Sequence, residues 1–216
     1  MSNLIETFLL KAELGINNAL NVEEIKAKLA NYGYSDEKLQ IGKNLYIDAK
    51  AKNQNQEKEY GEQYLASKLA DTSRMQADKT YKKNLKLARI VFEDNPAAQK
   101  ALLLKGNRKK SLSGFLNQTT TFYKNLLSNE EWIAGMSEYN INAPVLESGL
   151  AAINKVQSDY ESQKKETGEA QKATEIRDKA VDALSDWHSK FIKVARIALE
   201  DDPQLLEMLG IVEPEA

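Results

Sequence analysis

A chain of 216 residues (24.3 kDa), 42% hydrophobic and 29% charged, has enough apolar side chain to bury a core, which excludes a disordered tail, and too much charge for a membrane bundle. Thirty basic against 32 acidic side chains leave a net charge of −2, which gives no general attraction to nucleic acid or anionic lipid. With no cysteine, disulfide frameworks, thiolate nucleophiles and Cys-based zinc or iron–sulfur sites are excluded.

Ten glycines and four prolines leave long unpunctuated stretches, which favours helices over an all-β fold. Met1 to Lys11 carries Glu6 in a short apolar run and lacks a basic leader, so it does not read as a secretory signal, and the cytoplasm is the expected compartment. Leu4 to Leu20 is amphipathic, and Asn21 is placed to cap a short segment ending near Tyr32. Leu39, Leu45, Tyr46 and Ala49 then trace one helix, and Leu65, Leu69, Leu85, Ala88 and Phe92 a longer one. Between them the apolar face fades through Asn53 to Tyr60, and Gly61 suits a left-handed helix end, so a hairpin turn is predicted there. One continuous helix of about sixty residues is the competing reading. Asp94-Asn95-Pro96 stops the helix and starts a short one, because proline disfavours helix in the residue before it and fits the first helical turn.

Lys105 to Lys110 reads as a polar linker. Ala101-Leu102-Leu103-Leu104 before it, like Phe8-Leu9-Leu10, falls far short of the ~20 apolar residues that span a bilayer, so no membrane association is expected. The series then repeats. Leu112 to Leu127 is amphipathic, and Ser128 is placed to cap a segment ending near Tyr139. Leu146, Leu150, Ile153, Val156 and Tyr160 mark a helix over about 144–165, and Gly168 a second hairpin turn. Ala173, Ile176, Ala180, Trp187, Phe191 and Val194 mark a helix to about residue 200, and Asp201-Asp202-Pro203 opens another short one. Gly42 and Gly149 lie inside helical patterns, where a missing side chain lets a neighbour approach closely. Val212 to Ala216 reads as a loose tail whose Glu-Pro-Glu-Ala resembles a short affinity tag.

Sliding the chain against itself by 107 residues aligns the halves without a gap. About a quarter of the paired positions are identical, where composition alone would give roughly seven matches. Lys83, Lys86, Ala88, Arg89, Ile90, Glu93, Asp94 and Pro96 recur as Lys190, Lys193, Ala195, Arg196, Ile197, Glu200, Asp201 and Pro203. The expected fold is therefore all-α: four long helices from two repeated antiparallel hairpins forming a bundle, with short flanking helices. Residues 1–107 form the first repeat and 108–216 the second, packed together as one domain.

Such a layout raises the di-metal carboxylate chemistry of ferritin-like bundles, which needs inward glutamates and two Glu-x-x-His pairs. The chain has one histidine; Ser185 stands three residues before His188, and Tyr81 occupies the matching place in the first repeat. The di-iron ligand set fails. Glu59, Glu62, Glu166 and Glu169 suggest a carboxylate-only metal site, weighed against solvated hairpin tips. His188 as a haem ligand or general base lacks a supporting constellation and reads as a helix-face histidine. Phosphate-binding glycine loops are absent from the sequence. No catalytic residue, cofactor or metal is assigned, and the chain is read as a non-enzyme.

Lys79, Lys82, Lys83, Lys86 and Arg89 form a ridge that could grip an anionic partner, with Lys190, Lys193 and Arg196 as counterparts of its last three. Arg89–Glu93 and Arg196–Glu200 stand four apart and can pair along a helix, so a solvated structural face is the competing reading. Asp178, Asp182 and Asp186 form an acidic stripe that also reads as solvated surface. The terminal pattern Ala88-Arg89-Ile90 with Glu93-Asp94-Asn95-Pro96, its second copy, and Leu205-Leu206-Glu207-Met208-Leu209-Gly210 resemble uncharacterised bacterial all-helical proteins built as tandem copies with a ferritin-like four-helix layout. That resemblance implies a fold and no activity. The expected role is a scaffold or interaction protein binding a protein partner or itself, with nucleic acid disfavoured; the alternative is a ferritin-like small-molecule or metal-binding protein without the usual di-iron ligands.

Overall fold

The computed structural model describes residues 2–211; the expected tail from Val212 lies outside them. Helix is the only regular structure among the described residues: α1 (Ser2–Asn21), α2 (Glu23–Asn31), α3 (Asp36–Val91), α4 (Pro96–Ala101), α5 (Leu112–Leu127), α6 (Glu130–Ser137), α7 (Ala143–Ala198) and α8 (Pro203–Met208). No helix among them is long and apolar enough to cross a membrane. The predicted hairpin turns at Gly61 and Gly168 do not form. α3 and α7 run through both glycines, so two helices of 56 residues stand where four were expected. Where the apolar stripe fades, side-chain pairs four residues apart hold the helical surface, among them Asn53–Glu57, Asp48–Lys52, Lys155–Asp159 and Gln157–Glu161. An interior glycine costs a helix only about 1 kcal/mol, too little to break it.

The chain forms two compact units, one from residues up to Tyr60 with those from Glu169 onward, the other Gly61–Gly168. Each draws on both halves of the sequence. In the first unit, the start of α3 packs antiparallel against the end of α7: Gly42 lies against Trp187, and Arg177 donates to Gln56 Oε1 at 3.1 Å. α1 adds Leu9, Ala12, Ile16 and Ala19 at spacings of three and four, and α2 adds Ile25 and Leu29. Tyr34 meets Trp187 and Phe191 edge-on, while Trp187 stacks on Phe191 at 5.2 Å. In the second unit, Gln163 donates to Ser67 and Arg74 reaches the Tyr160 hydroxyl, again antiparallel. Its core joins Tyr81, Leu85, Ala88 and Phe92 of α3 to Leu146, Ile153 and Val156 of α7 and to Phe115, Phe122, Tyr123 and Leu126 of α5. The Tyr81, Phe122 and Tyr123 rings meet at 5.1–6.3 Å, each such pair adding about 1 kcal/mol beyond its burial. Burial pushes the hydroxyls of Tyr81 and Tyr123 up to about 12; Asn84 donates to the Tyr123 hydroxyl at 3.1 Å.

Several features recur at a spacing of 107 residues. α3 and α7 start and stop 107 apart, as do α4 and α8. Asn18 donates to the Met208 carbonyl, and Asn125 to the Ala101 carbonyl. Left-handed backbone falls at Gly33 and Asn140, and at Leu103 and Gly210. Phe8 meets His188 edge-on at 5.5 Å, as Phe115 meets Tyr81 at 6.4 Å. The caps depart from expectation. Val22 precedes α2 without a side-chain cap, and Asn129, not Ser128, caps α6 by accepting from Trp132 N. Asn95 caps α4 as predicted, whereas Asp202 before α8 caps nothing, because its carboxylate is ion-paired with Lys28.

The glycines separate by surroundings. A Cβ on Gly42 would lie 2.2 Å from the Trp187 ring and one on Gly149 2.4 Å from the Tyr123 ring, whereas Gly61 and Gly168 have no such neighbour within 4 Å. Gly42→Ala and Gly149→Ala should each destabilise by about 1–3 kcal/mol, and Gly61→Ala and Gly168→Ala should each stabilise by about 0.5–1 kcal/mol, in urea unfolding followed by circular dichroism. His188 gives a second expectation. Burial holds its imidazole below the ordinary range, and its Nε2 is buried without a hydrogen-bond partner. The folded chain favours neutral His188 while the unfolded chain protonates near pH 6.5, so its contribution is complete above that pH and lost as pH falls through and below it. Between pH 7 and 5, His188→Phe should lose up to about 1 kcal/mol less stability per pH unit than wild type.

Candidate functional site

The ridge on the last third of α3 becomes a surface because the segment expected to be a linker is not one. After α4, Leu103 at φ 52° and Gly106 at φ 86° turn the chain back; a φ this positive suits glycine, which has no Cβ to clash. Residues 104–110 then run along α3 in the opposite direction. At one end, Arg89 donates from Nε to the Leu104 carbonyl at 2.7 Å and from Nη2 to the Gly106 carbonyl at 3.1 Å. In the middle, Arg108 pairs with Asp78, whose other oxygen takes Lys82 Nζ at 2.6 Å. At the far end, Arg74 donates to the Lys110 carbonyl while its guanidinium lies 5.3 Å from the centre of the Phe115 ring. The Lys109 backbone N–H donates to Gln118 Oε1 at 2.9 Å, and Ser111 caps α5 by accepting from Gly114 N. Residues 104–110 thus form a strap tied at three levels.

The strap sets Lys105, Arg108, Lys109 and Lys110 beside the ridge of Lys79, Lys82, Lys83 and Lys86. Residues 79–110 contain ten basic and two acidic side chains. The whole unit 61–168 holds 16 basic and 12 acidic side chains, net +4, and the other unit 14 and 20, net −6. An open groove of about 730 Å³ lies between strap and helix, lined by Asp71, Arg74, Met75, Asp78, Asn107, Arg108, Lys109, Lys110 and Phe115. Arg74, Arg108, Lys109 and Lys110 outnumber Asp71 and Asp78 there, so the groove stays positive. Lys83, Lys86, Lys109 and Lys110 are exposed and form no ion pair within 4 Å among the described residues.

The six residues singled out from sequence divide between the units. Lys83, Lys86 and Arg89 are in the unit 61–168, and Lys190, Lys193 and Arg196 in the other. Lys83 and Lys86 are available to a partner, but Arg89 is committed to the strap carbonyls rather than to Glu93. Lys190 and Lys193 are exposed, and no counterpart of the strap is described beside them. The strap residues went unassigned because nothing in Lys105 to Lys110 announces three anchors supplied from α3. Arg74 and Asp78, one helical turn apart, were the available signal.

The carboxylates weighed for a metal site occupy helix surface rather than hairpin tips. Glu59 and Glu169, both in the first unit, bring carboxylate oxygens within 4.8 Å of one another. Glu59 also has Lys58 Nζ at 3.7 Å, and Glu166 has Lys165 Nζ at 3.6 Å. His188 faces Phe8 and Phe191. A second groove of about 320 Å³, in the first unit, is lined by Glu6, Leu9, Leu10, Glu13, Tyr46 and Lys50, with Lys50 donating to the Tyr46 hydroxyl at 2.8 Å. Comparison with known protein families, characterised proteins and solved structures returned no match.

Arg89→Ala removes the two bonds that hold Leu104 and Gly106. Amide hydrogen exchange of residues 104–110 should accelerate at least about tenfold, with a loss of about 1–3 kcal/mol in global stability.

Proposed function

We propose that the protein is a non-enzymatic helical interaction protein, built from two related halves, that holds an acidic protein segment on the cationic face made by α3 and the strap. The observation that carries this reading is the strap itself: three anchors from α3 fix an irregular segment in place, and its Lys109 and Lys110 stay exposed and unpaired. Cations preset on an ordered backbone lose less entropy on binding than the same residues on a loose linker. Their charge speeds encounter with an acidic partner and fixes its register.

Duplication and fusion of an ancestral half accounts for the 107-residue spacing of helix ends, left-handed turns and asparagine bonds. In this reading each compact unit combines the beginning of one repeat with the end of the other. Residues 104–110 bridge the two repeats.

Fluorescence anisotropy with a labelled poly-L-glutamate peptide at low ionic strength tests the proposal. Wild type should bind with an affinity that falls steeply with salt, Lys109→Glu/Lys110→Glu should weaken it at least about tenfold, and Lys190→Glu/Lys193→Glu should leave it within about twofold. Equal loss in both variants overturns the location. Tighter binding to single-stranded DNA of equal charge, with the same sensitivity at Lys109 and Lys110, replaces the acidic protein with nucleic acid.

A further inference from the structure

The sequence pattern places Leu65 and Leu69 on the buried side of α3, and the structure turns them outward. Leu65 is 58% exposed and Leu69 59%, with Tyr64 at 65% and Met75 at 68%. Ala70, Ser73, Ala77 and Tyr81 form the buried side of this stretch instead. At 100° per residue, Gly61, Tyr64, Leu65, Lys68, Leu69, Thr72 and Met75 share the opposite side, a continuous face in one unit. The equivalent register of α7, 107 residues on, reads Gln171, Lys172, Ile176 and Asp182 where α3 has Tyr64, Leu65, Leu69 and Met75. A helix of the same length thus forms with three of these four positions polar, and helix formation does not require the apolar face on α3.

We propose that the protein self-associates through this face, residues 63–76 of α3 packing antiparallel against the same residues of a second copy. Charge selects both occupant and direction. Lys68 and Asp71 are the exposed charged residues on this stretch of surface, and neither makes an ion pair within the chain among the described residues. A twofold axis level with residues 69 and 70 brings Lys68 of each copy opposite Asp71 of the other and Tyr64 opposite Met75, with the two Leu69 side chains at the axis. A parallel arrangement would place Lys68 against Lys68. The four apolar side chains leave on the order of 500 Å² exposed per copy, so pairing buries about 1,000 Å² or somewhat more, the lower limit for a specific interface. The dimer is therefore weak, with a dissociation constant on the order of 10 μM. It is isologous, as a closed pair of identical surfaces must be.

Sedimentation velocity on the full chain over about 1–200 μM should show a monomer–dimer equilibrium. Leu65→Glu/Leu69→Glu, at exposed sites where the fold is preserved and circular dichroism verifies it, should be monomeric throughout. Lys68→Asp should weaken the dimer about tenfold by setting aspartate against Asp71, and the charge swap Lys68→Asp/Asp71→Lys should restore it to within about twofold. A wild type that stays monomeric, or a double glutamate variant that dimerises like wild type, overturns the proposal; failure of the swap to restore overturns the antiparallel register. Asp71 and Met75 also line the groove beside the strap, but the readout involves no acidic ligand, so the two proposals are tested separately.

Discussion

Close antiparallel packing between α3 and α7 is the constraint on which each unit depends. In one unit it is made possible by the absence of a side chain at Gly42, which admits the Trp187 ring, and the cleared space is then filled by Tyr34, Trp187 and Phe191 in mutual contact. In the other, Gly149 admits Tyr123 from α5. The residue of α3 in register with Trp187 is Thr80, which lies in an open surface recess with Gly149, Val145 and Ala152. Two units with corresponding helices therefore reach close packing with bulky side chains from different helices, as expected of interiors that must be filled whatever the source of the volume.

That packing frees the last third of α3 for another task. With Tyr81, Leu85, Ala88 and Phe92 committed to the core, the remaining surface carries Arg74, Asp78 and Arg89 in a line that can receive an extended chain. The strap satisfies backbone carbonyls at Leu104, Gly106 and Lys110 with guanidinium donors, charge-assisted bonds stronger than neutral ones. Arginine suits this work better than lysine because its donors are fixed in a plane and reach two carbonyls at once, as Arg89 does. Lysines then remain for solvent and for a partner. The division of labour between arginine as structural tie and lysine as exposed charge is what makes this stretch read as a surface built for contact.

Along one side of α3 the character changes from apolar, around Tyr64, Leu65, Leu69 and Met75, to cationic, from Lys79 to Lys86. An apolar seam suits pairing of like with like, since desolvation drives it and the charges beside it set its direction. A cationic face suits a partner of opposite charge. If the proposed pairing occurs, it sets two cationic faces in one particle and raises the effective concentration of sites.

The amino-acid sequence by itself determined the all-helical class, the 107-residue spacing, the proline-marked stops before α4 and α8, and the close approach at Gly42 and Gly149. These follow from local rules: propensity, the conformational limits of proline, and the size of one side chain. Tertiary structure decided three things that local rules leave open. Gly61 and Gly168 became helix interior because side-chain pairs four residues apart and packing on both sides outweigh the small cost of one glycine. Leu65 and Leu69 went outward because the small Ala70, Ser73 and Ala77 on the opposite side of the helix allow the closer approach that packing rewards. The basic segment after α4 became a strap because its anchors stand fifteen to thirty-six residues upstream. No periodicity within the segment carries that information, since the bonds are made by side chains of a helix whose facing is set only once the core has closed.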